Sequence, residues 1–274
     1  MNKLQLLVKT SRPAGWILGP LVFLFGIVVS GASLDFIGIV QIILLSFPGC
    51  ILLYGINDVY DYESDKINPR KKLIEGIKLE KKNHPFIKKI SYIMIGLLLL
   101  SSILTFNISN IVAMCVLVFI IYYYSAPPIR LKEKPPIDSI SNGLIILAVA
   151  ALGFSHGKSI LFMPLKAYFM SLCIAAVHIY STLTDYSSDK KVGDKTFAVK
   201  FGQRTTAIVA TIIFVLSHFI SDFQTPAIKY YVIGCMLIGM ITIIKPTEKV
   251  AKEGFRVIFI GSIAAAIIYL LGAI

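Results

Sequence analysis

Long apolar stretches dominate this sequence, and nine of them are long enough to cross about 30 Å of hydrocarbon as α-helices. In lipid a backbone must satisfy its own polar groups, which a helix does within one segment. The composition agrees, because 56% of the 274 residues are hydrophobic and only 15% are charged, against about 25% charged in soluble domains. We therefore predict an all-α membrane protein, a single domain over 1–274 with nine transmembrane helices in a bundle. The predicted spans are 16–31, 36–57, 90–106, 108–126, 138–155, 164–183, 205–220, 228–245 and 255–272.

The distribution of basic residues predicts how the chain is oriented. All but three of the 27 Lys and Arg residues fall at the N-terminus or in loops on one side of the predicted bundle, the exceptions being Lys158, Lys166 and Lys229. Short loops rich in positive charge stay in the cytoplasm. We therefore expect a protein of the cell membrane with a cytoplasmic N-terminus and an outer C-terminus. The net charge of +12 is then a topology signal that also attracts anionic headgroups, so nucleic acid is not needed as a partner.

A nearly repeated acidic hexapeptide follows two of the apolar stretches. The copies are Asp61-Tyr62-Glu63-Ser64-Asp65-Lys66 and Asp185-Tyr186-Ser187-Ser188-Asp189-Lys190. Their spacing corresponds to four predicted helices, so both copies fall on the cytoplasmic side, and two parallel four-helix halves with a ninth helix would place them equivalently. Carboxylates beside hydrocarbon are costly and mark functional sites. The repeat therefore points to one shared cationic ligand.

Helical spacing would put the carboxylates of each copy on one helix face. Asp58, Asp61 and Asp65 are separated by three and four residues, as residues on one face are, and Asp185 and Asp189 are separated by four. Magnesium prefers carboxylate oxygens and completes its shell with water or substrate phosphates, whereas zinc would call for His or Cys. We predict that these five aspartates bind Mg²⁺ jointly with a diphosphate. Solvated carboxylates neutralised by nearby lysines would explain one copy but not both.

A diphosphate also needs fixed positive charge, and the end of the fourth predicted helix offers it. In the run from Tyr124 to Lys132, two prolines are expected to stop the helix and extend the chain. Arg130 and Lys132 would then lie on one side of an extended segment, suited to phosphate binding. Tyrosines near the motifs could shield a carbocation through their ring faces. Further basic candidates on the same side are Arg12, Arg70, Lys71, Lys191 and Lys195.

Metal and basic groups around a departing diphosphate, beside an apolar cavity, are suited to ionising an allylic C–O bond. In its acidic motifs and basic segment the chain resembles the UbiA-type intramembrane prenyltransferases. The resemblance rests on Asn57, Asp58, Asp61 and Asp65, which match the NDxxDxxxD motif, and on Asp185 and Asp189, which match the DxxxD motif. The segment from Tyr124 to Lys132 and the Arg12-Pro13 pair are also similar to the family. The resemblance covers essentially the whole chain.

The resemblance implies a nine-helix bundle capped by the cytoplasmic loops after helices 2 and 6. It implies two Mg²⁺ ions, bridged by the diphosphate of a polyprenyl donor and held by the five aspartates. Asn57, Arg130 and Lys132 would assist diphosphate binding, with Tyr124, Arg70 and Lys195 as further substrate-binding residues. The partners would be this donor, a lipophilic acceptor (a quinone precursor, an ether lipid or a carotenoid) and the bilayer, with no obligate protein partner evident.

The run after the first motif, 68–76, departs from the pattern of members that prenylate hydroxybenzoates or glyceryl ether lipids. It looks more like the branch with carotenoid-elongating and chlorophyll-synthase-like enzymes. The alternative outside this enzyme class is an ion-coupled transporter that uses the acidic clusters. A transporter would more naturally carry its acids at midmembrane on interrupted helices, whereas these motifs follow the apolar stretches.

Overall fold

The computed structural model describes residues 2–67, 77–220 and 225–273, and all regular structure within these ranges is helical, without a β-strand. The chain forms two compact units, Met1–Arg130 with Ala148–Met163, and Leu131–Leu147 with Pro164–Ile274. The first unit contains α1 (Lys3–Thr10), α2 (Leu18–Ser30), α3 (Phe36–Leu45), α4 (Phe47–Tyr60), α5 (Tyr62–Ile67), α6 (His84–Ile103) and α7 (Ile108–Ser125). α8 (Ile137–Phe154) contributes residues to both units. The second unit contains α9 (Leu165–Ser181), α10 (Tyr186–Val192), α11 (Phe197–Phe201), α12 (Gln203–Ile220), α13 (Pro226–Ile244) and α14 (Glu248–Ala273).

The described chain is that of a multi-pass membrane protein. Eight of its helical segments are long and apolar enough to cross a bilayer, and one apolar helical stretch, Gln203–Phe219, is shorter. That shorter stretch corresponds to the seventh predicted span. The structure thus confirms the helical class and the multi-pass character.

The helices differ from the predicted spans at three points. The second predicted span, 36–57, lies within one segment long enough to cross a bilayer, Phe36–Tyr60, but it consists of two helices that meet at Ser46, because Pro48 in the first turn of α4 has no N–H to continue the hydrogen bonding of α3. α6 begins at His84 rather than 90, with Pro85 in its first turn where proline fits. α14 begins at Glu248 rather than 255, since its charged first turns are also helical.

Glycines let α2 and α8 approach backbone to backbone in the first unit. A methyl group on Gly153 would overlap the carbonyl oxygen of Phe23, and one on Gly26 would overlap that of Ala150. Without a hydrophobic force between helices in lipid, such close packing holds spans together. The side chain of Phe23 is fully buried at this contact.

A buried polar network joins four helices of the first unit. Gln41 Nε2 donates to Asn110 Oδ1 at 2.9 Å and to Ser102 Oγ at 3.2 Å, and Asn110 Nδ2 donates to Ser155 Oγ at 2.9 Å. His156 Nε2 lies 3.0 Å from Gln41 Oε1. Because each group has a partner, the network ties α3, α6, α7 and the end of α8 together without an unsatisfied polar atom at these bonds.

The second unit packs around a core in which Tyr180 and Phe214 are fully buried. The Tyr180 hydroxyl makes a 2.7 Å hydrogen bond with Thr242 Oγ1, which joins α9 to α13. Gly239 lets α13 approach α12, because a methyl there would overlap Thr211. These contacts fix the end of α9, from which the second aspartate motif follows.

Candidate functional site

The first aspartate motif lies at the end of α4 and in α5. α4 ends at Tyr60, Asp61 caps it, and Asp65 lies in α5. The three aspartates are therefore not on one regular helix, although the N–H of Asp65 still bonds the Asp61 carbonyl at 2.8 Å. All three are buried, with Asp58 exposed by 1%, Asp61 by 6% and Asp65 by 9%, and Asn57 is half-buried. The break thus leaves a row of buried carboxylates at the end of an apolar helix.

Two arginines supply positive charge to this row. Arg12 Nη2 lies 3.0 Å from Asp58 Oδ1, and its guanidinium stacks 4.3 Å from the centre of the Tyr54 ring. Arg130 Nη2 lies 3.9 Å from Asp61 Oδ1. Both arginines have positive φ, 51° for Arg12 and 46° for Arg130, a conformation uncommon outside glycine. The backbone turns sharply at both points and delivers each guanidinium to a carboxylate.

The remaining acid of the first hexapeptide behaves differently. Glu63 is exposed, and its Oε1 lies 2.9 Å from Lys81 Nζ. This hydrogen-bonded ammonium lowers the pKa of the Glu63 carboxyl. Glu63 thus belongs to the solvated surface, whereas the three aspartates of the same motif are buried.

The second motif lies where α9 gives way to a tighter turn. Residues Thr182–Asp185 form a 3₁₀ helix, and Asp189 belongs to α10. Both aspartates are half-buried, and Thr184 Oγ1 donates to Asp185 Oδ2 at 3.3 Å. The 3₁₀ turn has a different pitch from an α-helix, so Asp185 and Asp189 do not belong to one regular α-helix as predicted. α10 ends at Gly193, whose φ of 82° suits glycine.

The basic segment after α7 is not extended, which corrects the prediction. α7 ends at Ser125 before the two prolines, as expected, but the N–H of Arg130 then bonds the Ala126 carbonyl at 3.1 Å and closes a turn. Lys132 lies in a 3₁₀ helix, Leu131–Glu133. Tyr124 is half-buried in the last turn of α7. Lys195 is exposed in the loop between α10 and α11, and Arg70 lies outside the described residues.

Sequence reasoning missed a polar chain in the second unit. Asp138 and Ser139 are buried in the first turn of α8, where Ser139 Oγ lies 3.3 Å from Asp138 Oδ1 and 3.0 Å from His178 Nδ1. The signal in the sequence was an acidic residue at the start of an apolar span. His178 thus joins α9 to the start of α8.

The donor set of the first motif fits magnesium. Three buried carboxylates offer the hard oxygen ligands that Mg²⁺ prefers. Among the described residues, no group of three or more His, Cys, Asp or Glu side chains is placed to hold a metal by itself. Mg²⁺ seldom occupies an all-protein cage and usually takes part of its shell from water and phosphate.

Residues 18–263 match the model of the UbiA prenyltransferase family. The chain belongs to this family. It is a prenyltransferase, and the matched range contains the buried aspartates described above.

Curated relatives within the family act on different lipids. The lycopene elongase/hydratase of Corynebacterium glutamicum is 28% identical over 231 residues, which cover 79% of this chain and 76% of the relative. The digeranylgeranylglyceryl phosphate synthase of Methanosphaera stadtmanae is 28% identical over 193 residues, covering 69% of this chain and 65% of the relative. The relatives thus include enzymes named for a carotenoid and for an ether lipid.

Solved structures share the fold. A digeranylgeranylglyceryl phosphate synthase structure aligns with a TM-score of 0.71 at 22% identity, covering 100% of this chain and 99% of that one. A UbiA homolog from Archaeoglobus fulgidus bound to GPP and Mg²⁺ aligns with a TM-score of 0.68 at 20% identity, covering 97% of this chain and 98% of that one. At this identity the likeness establishes the fold.

Proposed function

We propose that this protein transfers a prenyl group from a polyprenyl diphosphate to a lipophilic acceptor within the membrane, in a reaction that depends on Mg²⁺. The observation that carries the proposal is the row of buried carboxylates, Asp58, Asp61 and Asp65, at the end of an apolar helix in a chain of the UbiA family. Buried carboxylates are costly in such surroundings, so a stabilising role does not account for three of them. Binding of a divalent cation does.

In this proposal Asp58, Asp61, Asp65, Asp185 and Asp189 hold two Mg²⁺ ions. The residues proposed to bind the donor are Asn57, Arg130, Lys132, Tyr124, Arg70 and Lys195, with Arg12 as a further basic candidate. Bound Mg²⁺ would neutralise negative charge on the diphosphate as it leaves. The UbiA homolog solved with GPP and Mg²⁺ supports the proposal that this site binds a prenyl diphosphate together with Mg²⁺.

The arginines of the first unit have two roles in the proposed reaction. Without substrate, Arg12 and Arg130 compensate the charge of Asp58 and Asp61. With substrate, their N–H groups would bind phosphate oxygens, for which the planar guanidinium is well suited. The allylic C–O bond breaks, and its electron pair leaves on the diphosphate. The π electrons of an acceptor C=C bond then attack the allylic cation and form the new C–C bond. The carbocation left on the acceptor loses a proton from the adjacent carbon to the released diphosphate, which restores a C=C bond.

For the acceptor we propose a carotenoid-like polyene ahead of an ether lipid or a quinone precursor. The support is the similarity to enzymes named lycopene elongase/hydratase, which extends over 79% of this chain for the Corynebacterium glutamicum protein. The run 68–76, which led to the same expectation, lies outside the described residues. The proposed site therefore takes an apolar acceptor beside a charged donor.

For the topology we propose nine crossings, with α12 as the seventh. The N-terminus and both aspartate motifs would lie in the cytoplasm and the C-terminus outside. The loops after the second and sixth crossings would form a cap. The support is the distribution of Lys and Arg along the chain. Cysteine labelling of single sites on intact cells would test this orientation.

The decisive experiment incubates the purified protein with prenyl diphosphates of several lengths, with a panel of the three acceptor classes, and with Mg²⁺ or EDTA. Products are identified by mass spectrometry, and diphosphate release is followed in parallel. We expect product only with Mg²⁺, and almost none from Asp61→Asn or Asp185→Asn. Full rates in both variants would overturn the metal assignment, and ion-coupled solute uptake by a catalytically inactive protein would favour a transporter.

Two matched controls separate loss of a ligand from loss of charge. Glu63→Gln removes the exposed acid of the same hexapeptide as Asp61. Asp194→Asn removes an acid five residues beyond Asp189. Both controls should keep the wild-type rate, because neither residue belongs to the proposed ligand set. A loss equal to that of the test variants would indicate a general electrostatic effect.

A further inference from the structure

Tyrosine hydroxyls and one ammonium group converge on the surface of the first unit, outside the aspartate row. Tyr92 of α6 and Tyr122 of α7 have hydroxyl oxygens 3.3 Å apart, and Tyr60 at the end of α4 lies beside Tyr122. The ammonium of Lys88 lies 4.7 Å from the centre of the Tyr60 ring, and Lys88 precedes Tyr92 by one turn on α6. We call these four residues the tyrosine–lysine cluster. It offers several hydroxyl donors and one positive charge at a single place.

The cluster is accessible and lies at the ends of α4 and α7. Tyr92 is 49% exposed, and Tyr60 is the last residue of α4, immediately before the aspartate row. Tyrosine favours this depth, where one end of the side chain is wet and the other is apolar. Lipid phosphate groups lie at the same depth.

An exposed apolar face continues from the cluster along α6 and α7. On α6 it includes Ile93, Leu97 and Leu100, and on α7 it includes Val112, Val116 and Phe119, each exposed. In α6 this face has a gap at Gly96, one turn from Tyr92, where an added side chain would meet nothing within 4 Å. A polar cluster at one end of an apolar face with this gap suits a lipid headgroup and its acyl chains.

We infer that the tyrosine–lysine cluster, with the α6–α7 face below it, binds a phospholipid that carries a net negative headgroup. Lys88 pairs with the phosphate, the tyrosine hydroxyls donate to its oxygens, and one acyl chain lies over Gly96. The charge selects an anionic over a zwitterionic lipid. The site uses none of the residues proposed for catalysis, so it stands whether or not the proposed reaction is correct.

The test measures lipid retained by the purified full-length protein in native mass spectrometry, after incubation with phosphatidylglycerol or phosphatidylcholine. We expect phosphatidylglycerol to bind more tightly, and Lys88→Gln with Tyr92→Phe to weaken it roughly tenfold, as the loss of a charge-assisted contact should. Lys89→Gln is the matched control, because Lys89 is exposed beside Lys88 and carries the same charge. An equal loss with Lys89→Gln would overturn the inference in favour of diffuse attraction.

A second pair of variants tests the acyl chain. Gly96→Leu fills the gap at Gly96, where an added Cβ meets no atom within 4 Å. It should reduce retention of both lipids several-fold while the protein stays folded. Gly234→Leu is its control on α13, since that glycine also faces open space, and it should leave retention unchanged. Equal retention by the two variants would overturn the inference. Displacement of phosphatidylglycerol from wild-type protein by farnesyl diphosphate or by inorganic phosphate would also overturn it, as the cluster would then hold phosphate from another source.

Discussion

Replacing Arg12 by glutamine should destabilise the protein because it leaves Asp58 buried without its counterion. The pair is close, at 3.0 Å, and the side chain of Asp58 is fully buried while that of Arg12 is 22% exposed. Removing one member of a buried pair typically costs about 3–5 kcal/mol. Arg12 retains some solvent contact, so we expect about 3 kcal/mol, which includes the lost stacking on Tyr54.

The measurement is the free energy of unfolding in mixed micelles, taken for Arg12→Gln, Asp58→Asn and the double variant. The double variant removes both charges and should therefore be more stable than the sum of the two single effects predicts. We expect a coupling energy of about 2 kcal/mol from this cycle, within the range for residues in direct contact. Circular dichroism at low denaturant would check that each variant retains its helices.

An exposed pair provides the control. Arg256 Nη1 lies 2.9 Å from Glu253 Oε1, but the two side chains are 72% and 65% exposed. Surface pairs contribute about 0–1 kcal/mol. Arg256→Gln should therefore change the free energy of unfolding little, although its pair is as close as that of Arg12 and Asp58. The reasoning would be refuted if Arg12→Gln cost no more than Arg256→Gln, or if the two single effects at Arg12 and Asp58 added within about 0.5 kcal/mol.

Three further predictions concern packing and are measured by the same unfolding titration. Asn110→Ala should cost about 1–3 kcal/mol, because it leaves partners of a buried network unsatisfied; a neutral result would contradict the assigned bonds. Gly153→Ala should prevent or severely weaken folding, since its methyl would overlap the Phe23 carbonyl, whereas Gly234→Ala should stabilise by up to about 1 kcal/mol; equal effects would contradict this packing. Tyr180→Phe should cost about 1 kcal/mol through the lost bond to Thr242, and no change would show that bond to be unimportant.

The arginine–aspartate pairs also bear on function. A buried ion pair is seldom the most stabilising choice at a site, so its presence in an apolar helix end indicates a requirement other than stability. Here the same guanidinium groups that compensate the aspartates are proposed to bind the diphosphate. The pairs therefore hold the guanidinium groups beside the carboxylates before metal and substrate bind.

Much of the fold was predictable because hydropathy and backbone hydrogen bonding act locally. A long apolar stretch must become a helix in lipid, so the class, and eight of the segments long enough to span, follow from the sequence. Local competition was harder to judge. Pro48 splits the second span at Ser46, and the second motif begins with a 3₁₀ turn rather than an α-helical one.

The sequence by itself determined that the chain lies in a membrane and that acidic motifs follow apolar helices, since both are properties of short segments. The tertiary structure decided which charges meet. Arg12 reaches Asp58 across 46 residues, and a left-handed turn at Arg130 brings its guanidinium to Asp61. No local pattern encodes those distances, because they depend on how the packed helices and turns place two side chains that are remote in sequence.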